Sequence, residues 1–242
     1  MHMVLKKQKK RGKIMEYQIK DIVRSVEIDI HCGSVTLVKG TTENTTRVSI
    51  EGLTEDDMRV YPVNGNLYIR SITGEPVNMT IYGVATIKGL KVKGYDTSVT
   101  VDKFDLDRLN ASVNGDITLN EAKIKKQCDI NTTGGKIVIT SCDLTSMNAQ
   151  VSDGLFDIQK SVLHGNNILY TYNSPTGGLI RGALVDYMVT SGGGITSDQV
   201  IVNDHYLTDF PIRKNTQNVA WLLVAGETKE NIVFSIKRPN LK

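Results

Sequence analysis

Residues 109–119 read LNASVNGDITL and residues 128–139 read CDINTTGGKIVI, so two segments of the same layout lie 19 positions apart. Each has apolar residues at every second position, then a turn that contains glycine, then a second alternating run. Such alternation predicts β-strands with one buried side. A repeat of about 20 residues is typical of stacked β-architectures, in which each repeat buries its apolar side against its neighbours.

Glycine-centred turns extend this period along the middle of the chain. The intervals are 20 residues from Gly115 to Gly135, 19 to Gly154, 24 to Gly178 and 15 to Gly193. Glycine at a corner fits a chain that bends sharply through backbone angles that other residues avoid. The return segments carry one apolar residue each, namely Leu106, Ile124, Leu144 and Leu163. The pattern predicts about six to eight coils of strand, corner, strand and return.

The flanking segments predict the remainder of the fold. Short alternating runs fill residues 16–83, where Asn64-Gly65-Asn66 predicts a hairpin turn. Strands at 219–225 and 232–237 would close the other end, because open ends of a stacked sheet must be covered. We predict an all-β, single-stranded β-solenoid in one domain over 15–242, with N-terminal strands or cap at 16–83, regular coils at 84–204 and a C-terminal cap at 205–242.

The charge is unevenly distributed along the chain. The net charge is +3, yet six cations and no acid lie in the first 13 residues, so residues 14–242 carry −3. We expect residues 1–14 to be a disordered basic leader. Such a block could contact a polyanion or a membrane surface, although a solvated tail, or an extension before an alternative start at Met15, is the simpler interpretation.

The sequence predicts a cytoplasmic protein. Glu16, Gln18 and Lys20 interrupt the chain where a signal peptide needs an apolar run. The longest apolar patch, at 219–225, has the length of a strand and falls short of the roughly 18 residues that a membrane span needs. Peripheral association with the envelope remains open.

Residues 109–119 and 128–139 resemble the Gly-Asp-Ile coils of a large bacterial family of uncharacterised β-solenoid domains named as adhesins. Ser25–Gly40 also resembles the start of that family, so the resemblance covers roughly residues 20–202. It implies a right-handed solenoid, no catalytic residues, and a link to the cell envelope or its stress responses. Many members are exported or membrane-linked, and this chain departs from them in its lack of an export signal.

We expect no catalytic, metal or cofactor site from the residue pattern. The four histidines, His2, His31, His164 and His205, are scattered. His31 beside Cys32 could form a nucleophile pair, but neighbours on a strand point to opposite sides. The cysteines fit no zinc spacing, so we expect all three, Cys32, Cys128 and Cys142, to be small buried hydrophobic residues.

Acidic side chains at successive corners raise a second chemical hypothesis. Asp116 and Asp153 occupy neighbouring corners and could form a column that binds Ca²⁺ or glycan hydroxyls. Lys136, Leu179 and Ile195 interrupt that column at the other corners. Aspartate also favours turns because it hydrogen-bonds its own backbone, and this simpler role is the one we expect.

Two classes of function remain. The first is a non-catalytic, adhesin-like binding or scaffold protein, with a protein, an envelope glycan or a second copy as partner and no specific nucleic acid, because the body is acidic and poor in aromatics. The alternative is a carbohydrate-binding or carbohydrate-active solenoid with a site in the irregular region 164–218. Four tyrosines there could line a sugar site, although packing in the core or along a ladder is the role we expect: Tyr170, Tyr172, Tyr187 and Tyr206.

Overall fold

The fold is all-β, as predicted. The computed structural model describes residues 3–9, 14–41, 45–173, 178–181, 183–191, 195–198, 201–202, 222–225 and 234–235. Within these ranges 22 strands join one mixed sheet, with a single 3₁₀ turn at Glu55–Asp57 and no α-helix.

The strands alternate buried and exposed residues along most of their length, because one side of each faces the core. Their bounds are β1 Met3–Lys9, β2 Ile14–Ile19, β3 Ser25–Lys39, β4 Thr46–Glu51, β5 Met58–Val63, β6 Asn66–Ser71, β7 Val77–Gly83, β8 Gly89–Asp102, β9 Asp105–Val113, β10 Ile117–Asn120, β11 Lys123–Thr133, β12 Lys136–Thr140, β13 Asp143–Thr145, β14 Met147–Ser152, β15 Leu155–Gln159, β16 Val162–Tyr172, β17 Gly178–Arg181, β18 Leu184–Ser191, β19 Ile195–Asp198, β20 Ile201–Val202, β21 Leu222–Ala225 and β22 Phe234–Ser235.

From β8 onward every described pairing is parallel, and the strands form three ladders. Ladder one runs from the first residues of β8 through β9, β11, β14, β16 and β18 to β21. Ladder two runs from the last residues of β8 through β10, β12, β15, β17 and β19 to β22. Ladder three joins the first residues of β9 and β11 to β13, β16, β18 and β20.

The register matches the positions that the sequence pattern aligned. In ladder one, Leu109 lies beside Cys128, which lies beside Met147. In ladder two, Ile117, Ile137 and Phe156 are successive partners. The apolar residues of the return segments also stack in ladder three, in the order Leu106, Ile124, Leu144 and Leu163.

The N-terminal strands make the sheet mixed. The hairpin predicted at Asn64-Gly65 is confirmed, since β5 and β6 pair antiparallel and both turn residues have positive φ. β2, β4 and β7 also pair antiparallel, whereas β3 pairs parallel with β6, β7 and β8. Met3–Lys9 of the basic leader, which we expected to be disordered, forms β1 and pairs antiparallel with β2. The boundaries of leader, coils and caps as domains stay a prediction.

The inward side chains form one hydrophobic core that runs through the ladders. Phe156 and Leu169 are fully buried, and burial of such a side chain contributes about 1.5–3 kcal/mol. Cys128 and Cys142 lie in this core, as expected, but Cys32 is only half-buried, so the expectation was wrong for that residue.

The corner glycines are required by close packing more than by positive φ, contrary to the sequence-based expectation. A Cβ on Gly154 would lie 1.8 Å from the carbonyl oxygen of Gly135, and a Cβ on Gly135 would lie 2.3 Å from that of Gly115. Positive φ falls on the neighbouring position instead, at Gly134 and Asp153. Stacked corners therefore leave no room for a side chain where one backbone rests on the next. The corner at Gly193 lies outside the described residues.

Candidate binding face

The outward side chains of ladder one form a continuous surface that we call the outer face. Neighbouring strands in a ladder lie about 4.8 Å apart, so residues in register form columns across the strands. Asn110, Asp129 and Asn148 form one such column, and Ser112, Asn131 and Gln150 form the next. The outer face consists of Asn110, Ser112, Asp129, Asn131, Thr133, Asn148, Gln150, Ser152, Ile168, Tyr170 and Tyr172.

The outer face is apolar and aromatic on β16, the last strand of ladder one whose outward side chains the structure describes before the ladder continues to β18. On β16, Ile168 is 44% exposed, Tyr170 37% and Tyr172 55%. They lie beside Asn148, Gln150 and Ser152 of β14, and we call them the tyrosine strip. Tyr170 and Tyr172 are thus solvent-exposed. Of the two roles that we expected for them, packing in the core is wrong, whereas their position in ladder one agrees with packing along a ladder.

Most of the outer face is uncharged. Asp129 is the one charged residue among its members, and its carboxylate accepts a hydrogen bond of 2.7 Å from the Gln127 amide. Within the described part of the chain, no side-chain hydrogen bond engages Asn131, Asn148 or Gln150. These amides each offer donors and acceptors to a ligand.

Beyond β9, the face continues onto strands that carry charge. Lys91 of β8 pairs with Glu27 of β3 at 2.7 Å, and Arg70 of β6 pairs with Asp29 at 3.4 Å. Each pair joins neighbouring strands, because Glu27 is in register with Lys91 and Asp29 with Arg70. The N-terminal edge of the outer face is therefore charged. Part of this charge lies in formed ion pairs, and part lies on Lys93 and Arg108, which are exposed, in register with Ser112 and Gln127, and in no ion pair among the described residues.

Ladder three shows the opposite pattern, with charged side chains that pair across neighbouring strands. Asp143 accepts from Lys123 and lies 3.4 Å from the Nε2 atom of His164. The Lys126 ammonium lies 2.8 Å from Asp107 and, through that hydrogen bond, holds the pKa of this carboxyl below its usual range. The pKa of Lys123 is raised because its ammonium is hydrogen-bonded to Asp143. The charges of Lys123 and Asp143, and those of Lys126 and Asp107, are therefore paired with one another.

The two corner aspartates, Asp116 and Asp153, take part in hydrogen bonds with the backbone of neighbouring coils. The Asp116 carboxylate accepts a 2.8 Å hydrogen bond from the backbone N–H of Lys136, one coil further on. Asp153 adopts a left-handed conformation, with φ of 56°, and its N–H donates to the carbonyl of Tyr172. Among the described residues no three His, Cys, Asp or Glu side chains gather as metal ligands would. The Asp116 carboxylate thus bonds the backbone of the next coil, whereas we expected a bond to its own turn, and Asp153 has the left-handed conformation that is common in turns.

A shallow groove of about 400 Å³ opens where ladder one turns into ladder two. Its walls are mostly corner backbone, since three of its seven lining residues are glycine: Gly134, Gly135, Lys136, Asp153, Gly154, Leu155 and Asn173. It adjoins the tyrosine strip, because Asn173 follows Tyr172. Of the irregular region 164–218, in which the alternative places a site, only Asn173 lines this groove.

Among the described residues, the cysteines and histidines do not come together in a shared site. The His31 ring stacks on Tyr95 with centroids 6.3 Å apart, whereas the Cys32 thiol donates to the carbonyl of Gly74. Burial raises the pKa of both Cys128 and Cys142, which keeps these thiols neutral. His2 and His205 lie outside the described residues.

Asn167 is a positioning residue that sequence reasoning missed. It is fully buried at the bend of β16 between ladder three and the tyrosine strip. Its side-chain oxygen accepts from the N–H of Met147 at 3.1 Å, and its amide nitrogen donates to the carbonyl of Gly165 at 3.1 Å. The available signal was the pair Asn166-Asn167 just before an alternating run. Tyr206 and the side chain of Tyr187 lie outside the described residues.

The outer-face amides were also missed, although the sequence held a signal for them. The coils aligned in the sequence place Asn110, Asn131, Asn148 and Gln150 at the polar positions between apolar ones. Reading those positions across coils, instead of only the apolar ones, gives a row of uncharged amides. Alternation alone marks such positions as exposed and says nothing of their role.

No protein-family model matches the chain, and no curated protein matches it in sequence. It is similar to the crystal structure of a candidate cell adhesion protein from Clostridium sporogenes, at 10% identity and a TM-score of 0.32, over 89% of this chain and 100% of that one. It is also similar to a candidate adhesin from Parabacteroides distasonis, at 11% identity and a TM-score of 0.30, over 93% and 97% of the two chains. Identity and TM-score are both low, so a function for this chain rests on its own residues.

The described residues include no helix that is long and apolar enough to span a membrane. The cytoplasmic location expected from the sequence stays a prediction.

Proposed function

We propose that this protein is a right-handed β-solenoid and a non-catalytic, adhesin-like binding protein whose ligand surface is the outer face. The observation that carries the proposal is the composition of that face: it is solvent-facing, it has Asp129 as its single charged member and tyrosines on β16, and it lies next to a ladder whose charges are paired. The partner would be a protein or an envelope glycan.

The order of the ladders along the chain supports the solenoid. β9 ends in ladder one, β10 lies in ladder two, and β11 begins in ladder three and returns to ladder one. The next circuit, through β12, β13 and β14, repeats this order. A chain that visits three ladders in turn and pairs in parallel with its previous circuit follows a coil.

Deletion of one coil tests the solenoid. Lys123 is in register with Asp143, so removal of residues 123–142 joins Ala122 to Asp143 at the equivalent position. The proposal predicts a cooperatively folded protein that is shorter by one rung, about 4.8 Å, in small-angle X-ray scattering. The matched control removes ten residues, 123–132, which breaks the register and should unfold the coils. Equal loss of structure in both deletions would contradict a solenoid.

The chemistry of the outer face supports binding rather than catalysis. Amides, hydroxyls and phenols donate and accept hydrogen bonds near neutral pH without transferring protons. The fold does not need these side chains, because the core lies on the other side of the same strands. The amides of Asn131, Asn148 and Gln150, which no side-chain hydrogen bond engages within the described part of the chain, are available to a ligand.

Charge-introducing variants test the binding face. The pair Asn148→Lys and Gln150→Lys alters its centre, and the matched pair Thr118→Lys and Val138→Lys alters the outward side of ladder two, where these residues are in register. Each protein is incubated with purified bacterial envelope fractions and with cytosolic proteins. We expect the wild type and the ladder-two variant to retain the same component and the outer-face variant to lose it. Retention by both variants, or by none of the three proteins, would refute the proposal.

A carbohydrate-active site in 164–218 is the second candidate, and the exposure of Tyr170 and Tyr172 favours it. Aromatic side chains that reach solvent can hold a sugar ring. Incubation with neutral oligosaccharides, followed by chromatography of the products, separates the two functions. Shortened products that disappear with a Tyr170→Ala variant would establish catalysis, whereas binding without products supports the non-catalytic proposal.

A further inference from the structure

We propose that the corner at which each coil enters ladder one binds an acidic oligosaccharide whose carboxylates follow the stack of coils. This surface borders the outer face but is separate from it, and it goes beyond the function proposed above. We call it the basic corner, and its members are Arg24, Lys88, Asp107, Arg108, Lys125 and Lys126.

The basic corner places cations on four consecutive rungs. Arg24 precedes β3 and Lys88 precedes β8, and the backbone N–H of Lys88 donates to the carbonyl of Arg24 at 2.7 Å. The N–H of Arg108 on β9 donates to the carbonyl of Lys88 at 3.0 Å. Arg108 is in register with Gln127 of β11, the residue after Lys126. Neighbouring strands lie about 4.8 Å apart, so these cations span about 14 Å along the stack.

Much of the positive charge at this corner has no internal partner. Three exposed cations are in no ion pair among the described residues: Arg24, Lys88 and Arg108. Lys125 and Lys126 pair with Asp105 and Asp107, so five cations and two acids leave +3 here, whereas residues 14–242 carry −3 as a whole. Like charges on neighbouring strands repel one another, and an anionic ligand would relieve that repulsion.

One carboxylate already lies at the basic corner and indicates which anion it can hold. The Asp107 carboxylate is 2.8 Å from the Lys126 ammonium. This hydrogen bond, together with the charges of Lys126, Lys88 and Lys125, lowers the pKa of Asp107. Cations favour the charged form of a nearby carboxyl, and a guanidinium such as that of Arg108 can hold a carboxylate through two parallel hydrogen bonds.

The layout of the corner favours an acidic oligosaccharide over other polyanions. Successive sugars of an extended chain advance by a distance similar to one rung, so a chain with one carboxylate per sugar can meet a cation at each rung. The amide of Asn110, two positions after Arg108 on the outward side of β9, can bond sugar hydroxyls. Single-stranded nucleic acid also needs aromatic side chains for stacking, and the basic corner has none. A bilayer spreads its charge over a plane, whereas these cations follow one line.

Isothermal titration of the full chain with hexagalacturonate, which has one carboxylate per sugar, tests the proposal. We expect binding that weakens as the NaCl concentration rises, because salt screens exposed charges. The double variant Lys88→Gln and Arg108→Gln should weaken binding about tenfold. The matched control, Lys39→Gln and Lys160→Gln, removes the same charge from exposed cations on other parts of the surface that are also in no ion pair among the described residues. It should bind as the wild type does.

Thermal melting verifies that both double variants are folded. The comparison ligands are a neutral β-1,4-glucan hexasaccharide, a thymidine hexanucleotide and vesicles of an anionic phospholipid. The proposal is overturned if hexagalacturonate does not bind at millimolar concentration, if the neutral chain binds equally well, or if the control variant loses as much affinity. Tighter binding of the hexanucleotide or the vesicles through Lys88 and Arg108 would overturn it as well. These outcomes leave the function proposed for the outer face standing, because its test depends on Asn148 and Gln150.

Discussion

The two sides of ladder one follow different rules. On the inward side, Ala111, Ile130, Ala149 and Leu169 are in register and buried in the core. On the outward side, the same four strands change from amides and hydroxyls to isoleucine and tyrosine at β16. Packing limits the inward residues, because interiors are close-packed. It places no such limit on the outward ones, so the core does not account for the exposed isoleucine and tyrosines of β16.

Adjacent residues on β16 give the largest expected contrast between the two sides. Leu169→Ala should lower the free energy of unfolding by about 2–5 kcal/mol, since it leaves a cavity in the core. Tyr170→Ala, one position away and exposed, should change it by less than about 1 kcal/mol. Urea unfolding monitored by circular dichroism measures both. Equal losses would mean that the outward side also holds the fold together.

A smaller difference in stability is expected between substitutions of two corner glycines, Gly154 and Gly134. Gly154→Ala should cost about 1–3 kcal/mol, because the added Cβ meets the carbonyl of Gly135. Gly134→Asn should cost less than about 1 kcal/mol, since Asn tolerates the positive φ found there and Asn173 already adopts such an angle. Thermal unfolding of the two variants compares them. A larger cost at Gly134 would make φ, and not close approach, the reason for corner glycines.

Ladder three extends the comparison to a surface whose charges are internally matched. Loss of the Lys126 partner in Lys126→Ala should raise the pKa of Asp107 towards the ordinary value for aspartate, as followed by carboxyl NMR. Because the pKa of Asp107 is lowered in the folded state, its stabilising effect is present above the ordinary aspartate pKa and is lost as the pH falls through the lowered value. An unchanged Asp107 would show that this pair does not form in solution.

The smallest expected effect concerns the reactivity of the three cysteine thiols. Native protein should react quickly with Ellman's reagent at one thiol, Cys32, because burial raises the pKa of Cys128 and Cys142 and the thiolate is the reactive form. Urea should expose all three thiols. Fast reaction at two or more sites in the native state would place a core cysteine on the surface.

The sequence predicted the inward side of ladder one better than its outward side. The inward positions were predictable, down to Leu109 beside Cys128, because burial imposes a period-two pattern on every coil. The outward positions were not, since exposure tolerates many residues. Tyr170 and Tyr172 were singled out, yet a core or ladder role was expected of them. The close approach at Gly154 also escaped prediction, because it depends on how one corner stacks on the next.

The most direct test of the outer face as the ligand surface is an NMR titration of ring-labelled tyrosines with a neutral oligosaccharide that the wild-type protein binds, each signal assigned by a Tyr→Phe variant. The chain has nine tyrosines, and Tyr61, Tyr68 and Tyr95, which lie on β5, β6 and β8 and are therefore several strands away from β16, serve as internal controls. We predict that the ring signals of Tyr170 and Tyr172 shift with saturation while those of the three controls stay in place. Shifts at Tyr61, Tyr68 or Tyr95 with Tyr170 and Tyr172 unmoved would contradict the assignment of the outer face.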